Sequence, residues 1–411
     1  LLRENRKNIT YQSFAQVIPR GIMLIFVFYL ARILGNTQYG KFEFAMSICY
    51  VIGMFFELGG NMILTKHVAR NFFSSIYYAV KIRFFSILTA LIVFYSVLFI
   101  FDLYEDIRIH IIYANIGIAF SSMMNLYFAF FRGARKMNYE AVVLLVQKVI
   151  FIILALILLY SDKSGAKALL AFMISMVFGF FIIFGIFKKD EKLYIEKDST
   201  QKINFRGYIK DVSTLALVEV FGSIYYRINQ VLIEHFKGFE EVGVYGIAYK
   251  IVEVFLSFPS ILLLALFPAF AKIAVENRSV FKMQFNKILL LLFAAGLSAG
   301  LISWFSGELI FSLLGKDYGR SYIILRYLTI PLLFMFPNFL VTQGLIALDK
   351  NIIYAKILFT ALLINFIISL ILVPVMGAAG SAISIGICEV LIFISGYYFI
   401  RKYTVREAEK T

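Results

Sequence analysis

Twelve apolar stretches follow one another along this chain, each long enough to cross a bilayer, and they leave little else for a fold to be made of. They cover about 9–34, 42–64, 81–101, 108–131, 139–160, 166–187, 208–234, 242–270, 283–305, 321–346, 352–374 and 378–400, against the ~20 residues a helix needs to span a hydrocarbon core. Each stretch is continuous and lacks the alternation of a β-barrel strand. Backbone groups in hydrocarbon must be satisfied within their own segment, so each stretch is read as a helix. A chain that is 61% hydrophobic and 16% charged over 411 residues is not a soluble globular, disordered, collagenous or disulfide-stapled protein. Cys49 and Cys388 both fall inside spans and read as buried free thiols.

The formal charge of +15 is spread over short loops, where it speaks of membrane orientation and not of nucleic acid. With the amino terminus inside, 26 basic residues lie in or beside the loops on that side, Arg83 among them, and 8 lie opposite. The bias places both termini in the cytoplasm. The longest polar segment, Lys188 to Arg206, divides the chain into a six-helix lobe at 1–187, a cytoplasmic linker at 188–207 and a second six-helix lobe with a short basic tail at 208–411. The longest outer loop, roughly 306–320, leaves no room for an extramembrane catalytic domain. His67, His110 and His235 sit near span ends without metal-ligand spacing and read as surface residues. There is no Walker-type phosphate loop.

The two halves echo each other at three junctions. Tyr39-Gly40-Lys41-Phe42 corresponds to Val242-Gly243-Val244-Tyr245, Arg135-Lys136 to Asp349-Lys350, and Gly165-Ala166-Lys167-Ala168 to Gly377-Ala378-Ala379-Gly380, at offsets of 203, 214 and 212. Six spans per half is an even number, so the repeat is parallel, as in transporters whose site lies between two six-helix lobes. The prolines, Pro19, Pro259, Pro268, Pro331, Pro337 and Pro374, all lie in or at the ends of spans and predict bends. Pro19 is the expected hinge.

Ionisable residues within spans carry the chemistry, because a charge at a helix centre is costly and faces a cavity or a partner. The basic ones are Arg20, Lys148, Arg227 and Lys250, with Arg326 and Lys356 shallower and able to snorkel. The acids are Glu57, Glu219, Glu253 and Glu389, candidate carriers of a coupling proton or Na⁺. Asn8, Gln12, Gln16 and Arg20 recur every four residues, as do Gly53, Glu57, Asn61 and Thr65, and Glu219, Ser223 and Arg227, so each row shares one helix face. Such faces suit a water-filled cavity in which cations meet an anionic headgroup, guanidinium in particular gripping phosphate oxygens, while Gln12, Gln16, Asn61 and Ser223 suit a sugar. Alternatively the charges pair with one another and hold helices together: Lys250 and Glu253 are one turn apart, and Glu219 can serve Arg227.

Ala31-Arg32-Ile33-Leu34-Gly35-Asn36-Thr37-Gln38-Tyr39-Gly40, Phe131-Arg132-Gly133-Ala134-Arg135-Lys136 and the Pro374–Ala382 segment resemble the corresponding turns of the polysaccharide transporter family, O-antigen type flippases of the multidrug/oligosaccharidyl-lipid/polysaccharide exporter superfamily. The likeness runs over the whole chain. It implies an all-α membrane protein of twelve helices in two lobes, forming a V as in MATE exporters. By alternating access it would move an undecaprenyl-pyrophosphate-linked oligosaccharide from the cytoplasmic to the outer leaflet. It would sit in the inner (plasma) membrane, use no cofactor beyond an H⁺ or Na⁺ gradient, and act beside polysaccharide polymerase machinery. The superfamily's exporters of lipid-linked peptidoglycan precursor usually have two further helices and none follows Arg401, which points away from that substrate. A proton- or Na⁺-coupled drug exporter using Glu57 or Glu219 is the alternative. A glycan polymerase or ligase would need acid, base or nucleophile groups gathered on one face.

Overall fold

The computed structural model describes the backbone of residues 2–57, 59–195 and 205–405, and side chains from residue 21 onward apart from 58, 192–193, 195–219, 264–265, 268–269, 275, 316 and 405–411. Its elements are α1 (Leu2–Glu57), α2 (Gly60–Ala69), α3 (Ser75–Ile100), α4 (Arg108–Gly133), α5 (Asn138–Ser161), α6 (Gly165–Ile195), α7 (Phe205–Glu276), α8 (Arg278–Ser312), α9 (Ser321–Ala347), α10 (Asn351–Met376) and α11 (Ala378–Val405), with single 3₁₀ turns at Glu105–Ile107 and Lys316–Tyr318.

At 56 and 72 residues, α1 and α7 would form rods of about 84 and 108 Å, far beyond a hydrocarbon core of ~30 Å. Each is broken once by a glycine: Gly35 at φ 70°, ψ 169° and Gly238 at φ 80°, ψ −180°, backbone states that side chains oppose. Splitting the two at these points, with α2 continuing the span that α1 leaves at Glu57, gives twelve helical spans among the described residues. The second span is itself interrupted: Gly59, at φ 75°, caps α2, where the sequence predicts an unbroken helix.

The parallel repeat is written in the backbone. Gly35 and Gly238 stand at the same offset of 203 as Gly40 and Gly243. A Cβ on Gly40 would lie 1.7 Å from the Phe239 carbonyl oxygen, and one on Gly243 would lie 2.1 Å from that of Asn36. Asn36 and Phe239 are again 203 apart, so the two contacts are the same contact made twice. At the offset of 214, Arg135 (φ 58°) and Asp349 (φ 56°) are both left-handed. The Ala134, Arg135 and Lys136 amides donate to Phe130, Arg132 and Phe131, and those of Leu348, Asp349 and Lys350 to Gly344, Ile346 and Leu345. The lysines that follow are also alike. The Lys136 ammonium lies 5.2 Å from the Tyr194 ring and the Lys350 ammonium 4.7 Å from that of Tyr403, a favourable cation–π placement. Lys136 bonds Asp190 as well, at 3.0 Å, and that hydrogen bond raises its pKa above the ordinary lysine value.

The helices gather into two compact units, one of Leu24–Gly40 with the chain from Ile224 on, the other of Phe14–Met23 with Lys41–Ser223. In the second, α4 and α5 pack on α6, and α2 on α4, around Tyr127, Phe130, Phe131 and Phe187. In the first, α9 packs on α8 and α11, and α10 on α11. There the turn after α8 folds back: Tyr318 is fully buried and its hydroxyl donates to the Ala31 carbonyl at 3.0 Å.

Several expectations need correction. α8 runs on to Ser312, so the turn before α9 is shorter than the expected loop. Pro331, Pro337 and Pro374 lie inside α9 and α10, within spans as expected; the non-helical breaks in α1 and α7 fall at glycines. His67 and His110 are buried at 8% and 5% exposure, because helix ends still pack against neighbouring turns, as the His67 ring does against Phe72; His235 is exposed.

The glycine crossing predicts that Gly40→Ala and Gly243→Ala each cost at least about 2 kcal/mol, since the obstacle is backbone that cannot yield. Gly185→Ala, where a Cβ meets nothing within 4 Å, serves as control. Thermal unfolding in detergent should show a lowered Tm for the first two only.

Candidate functional site

In the unit formed around α2 to α6, one ion pair organises the polar residues. Arg83, nine residues into α3 and only 2% exposed, donates to the Ser122 carbonyl at 2.9 Å and hydroxyl at 2.7 Å and to Asn61 Oδ1 at 2.9 Å. It stands 3.7 Å from Glu57, whose side chain is 29% exposed. Glu57 also accepts from Asn61 at 2.8 Å and Asn125 at 3.3 Å. Thr65, one turn beyond Asn61, donates to the Asn61 and Ala129 carbonyls. The expected row Glu57, Asn61, Thr65 thus stays together across the break at Gly59, and α1, α2, α3 and α4 meet there. Arg83 was expected among the loop charges; it is instead the buried counter-ion of Glu57, because two turns into a span is too deep for its guanidinium to be left without acceptors. Lys148, expected to meet substrate, is half-buried on α5 beside Gln147, and Gln147 bonds Ser175 at 2.9 Å.

The other unit holds two polar groups of different character. One is neutral and fully buried. Ser369 donates to Asn229 Oδ1 at 2.8 Å, Ser384 to Asn365 Oδ1 at 2.6 Å, and Asn365 to the Tyr225 carbonyl at 3.4 Å, tying α7, α10 and α11. Against it lies Glu389, 1% exposed, which accepts from the Tyr225 hydroxyl at 3.0 Å and from Asn338 of α9 at 2.7 Å. The second group is charged and half-buried. Glu253 receives Arg227 at 3.5 Å on one oxygen and Lys250 at 3.1 Å on the other, with side-chain exposures of 34%, 19% and 22%. One carboxylate therefore serves two cations.

The pair suggested by the spacing of Lys250 and Glu253 forms, and Arg227 joins it; Ser223 is half-buried nearby in sequence on α7. Gln12, Gln16, Pro19, Arg20 and Glu219 lie outside the residues whose side chains are described. Arg326 stacks on Trp304 and Tyr322 at 5.2 and 5.0 Å, and Lys356 is exposed. Sequence reasoning missed Tyr225, Asn229, Asn338, Asn365, Ser369 and Ser384 as well as Arg83. The i, i+4 spacings of Tyr225 with Asn229 and of Asn365 with Ser369 were the available signal.

Twelve helical spans with junctions repeated between the two halves and paired charges inside them make this a multi-pass helical membrane protein. The chain belongs to the polysaccharide biosynthesis protein family, which matches residues 6–274. It is 24% identical over 406 residues to the capsular polysaccharide biosynthesis protein CapF of Staphylococcus aureus, covering 96% of this chain and 99% of that one. Its fold is shared with an inward-facing multidrug resistance MATE transporter of the MOP superfamily (TM-score 0.75, 15% identity, 96% and 99% of the two chains). The lipid II flippase MurJ in an inward closed conformation is similar too (TM-score 0.76, 14% identity, 95% and 87%).

Removing Arg83 would strand the Glu57 carboxylate. Arg83→Ala is expected to cost about 2 to 3 kcal/mol, the low side of a broken buried pair because Glu57 keeps some solvent. Glu57→Gln in the Arg83→Ala background should recover part of that loss. A double-mutant cycle on unfolding midpoints measures it, and additive effects would deny the coupling.

Proposed function

We propose that the protein is a flippase that carries an undecaprenyl-pyrophosphate-linked oligosaccharide from the cytoplasmic to the outer leaflet of the plasma membrane by alternating access, with both termini cytoplasmic. The observation that carries this reading is the half-buried cluster of Arg227 and Lys250 on α7, cations that remain within reach of solvent in the membrane-spanning part of the chain. A guanidinium and an ammonium side by side suit pyrophosphate oxygens. Arg20 and Lys148 are proposed to contact the same headgroup, and Gln12, Gln16, Asn61 and Ser223 the sugars. The family to which the chain belongs is described by polysaccharide biosynthesis, which supports a glycan cargo. The reading makes the protein a transporter rather than an enzyme and places it beside the polymerase that would use its product.

Transport is proposed to draw on an H⁺ or Na⁺ gradient. Of the four candidate acids, Glu57 and Glu253 are engaged by cations and Glu219 lies outside the described side chains. Glu389, whose described hydrogen-bond partners are a phenol and an amide, is the acid best suited to bind and release an ion. The engagement of Glu57 and Glu253 also weighs against a cavity for organic cations, the need of a drug exporter.

The test is leaflet transfer of a labelled undecaprenyl-pyrophosphate oligosaccharide in proteoliposomes, with and without an imposed pH or Na⁺ gradient. Arg227→Ala and Lys250→Ala should each slow transfer about tenfold or more, the loss of a charge-assisted contact. Glu389→Gln should keep gradient-free exchange and lose acceleration by the gradient. No protein-dependent transfer, with a cationic dye moving instead, would replace this reading by drug export.

A further inference from the structure

Glu253 puts one oxygen on each of the two cations assigned to the headgroup. Two cations inside a membrane protein are costly unless they are answered, and in the substrate-free state this carboxylate contributes an answer to both. It is also the most exposed member of the three, at 34%, and hence the one that can be turned aside. A pyrophosphate offers more oxygens and more charge than a carboxylate and matches the guanidinium fork better.

We infer that Glu253 is an internal stand-in for the substrate's phosphate: the anionic headgroup displaces it from Arg227 and Lys250 on loading, and it reclaims them to expel the headgroup on release. The inference rests on the flippase reading and adds to it how binding is kept weak enough to be reversed. A carrier must let go of its cargo, and a site that binds too well turns over slowly. Glu253 is thus a positioning residue for the two cations and a competitor of the cargo.

The experiment uses the full chain in nanodiscs with undecaprenyl pyrophosphate as probe and undecaprenol as the neutral control. Glu253→Gln should bind the pyrophosphate about three- to tenfold more tightly, the worth of one competing ion pair, and undecaprenol unchanged. In proteoliposomes KM and kcat should fall together. Damage to the fold weakens binding, so a tighter complex distinguishes competition from a structural role. A second measurement needs no variant: carbodiimide labelling of Glu253 in the wild-type protein should increase when undecaprenyl pyrophosphate is added and not when undecaprenol is. Equal or weaker pyrophosphate binding by Glu253→Gln, or labelling that does not rise, overturns the stand-in while leaving the flippase reading intact. Wild-type protein that binds both lipids equally overturns the two together.

Discussion

A charge placed in hydrocarbon has to be answered by another group of the protein or by water, and this requirement decides where most of the polar side chains go. Arg83 is answered by four acceptors contributed by Glu57, Asn61 and Ser122, and in gathering them it joins α3 to the end of α1, the start of α2 and the middle of α4. Hydrophobic burial gives little drive for helices to associate within lipid. An ion pair ringed by amides supplies a directional contact that apolar packing lacks, and it does so where the second span is interrupted at Gly59 and would otherwise be weakest.

The two halves keep the same turns and change their chemistry. The glycine crossing, the left-handed turns at Arg135 and Asp349 and the lysine–tyrosine contacts after them recur at fixed offsets, because backbone geometry at a helix junction tolerates few substitutes. The buried face of α8 is built of Phe, Leu, Gly, Ala and Ser, whereas α3 buries Arg83. Structural constraint preserved the joints; the spans between them were free to diverge, so that each half presents its own set of polar groups.

This difference also explains what the sequence discloses. Hydrophobic length reveals twelve spans, and helical periodicity reveals that Glu57, Asn61 and Thr65 share a face, or that Lys250 and Glu253 meet, because those relations lie within one helix or its direct continuation. Which helix faces which is not periodic information. Arg83 sits near the edge of an apolar run and reads like a loop charge until α4 is seen to bring Ser122 to it. Tyr225, Asn365 and Ser384 are ordinary residues in isolation, and only tertiary packing joins them into a network. The break at Gly59 has no proline to announce it.

The neutral network and the charged cluster share α7, and the helix itself keeps them apart. Tyr225 and Asn229 are one turn apart on the face bound to α10 and α11, and Arg227, two residues from each, is rotated from both by about 200°. Lys250 and Glu253, at i, i+3, lie on a common face of the helix's later part. Fully buried uncharged groups fix α7 in place, where exchange with water or substrate is closed to them. Arg227 is thereby carried on the segment of α7 that the network holds, with Lys250 and Glu253 beyond the break at Gly238, and the three side chains, between a fifth and a third exposed, retain room to change partners. A cluster fully in solvent would be screened too strongly to select an anion; the intermediate burial of Arg227, Lys250 and Glu253 limits that screening and keeps the charges within reach of solvent.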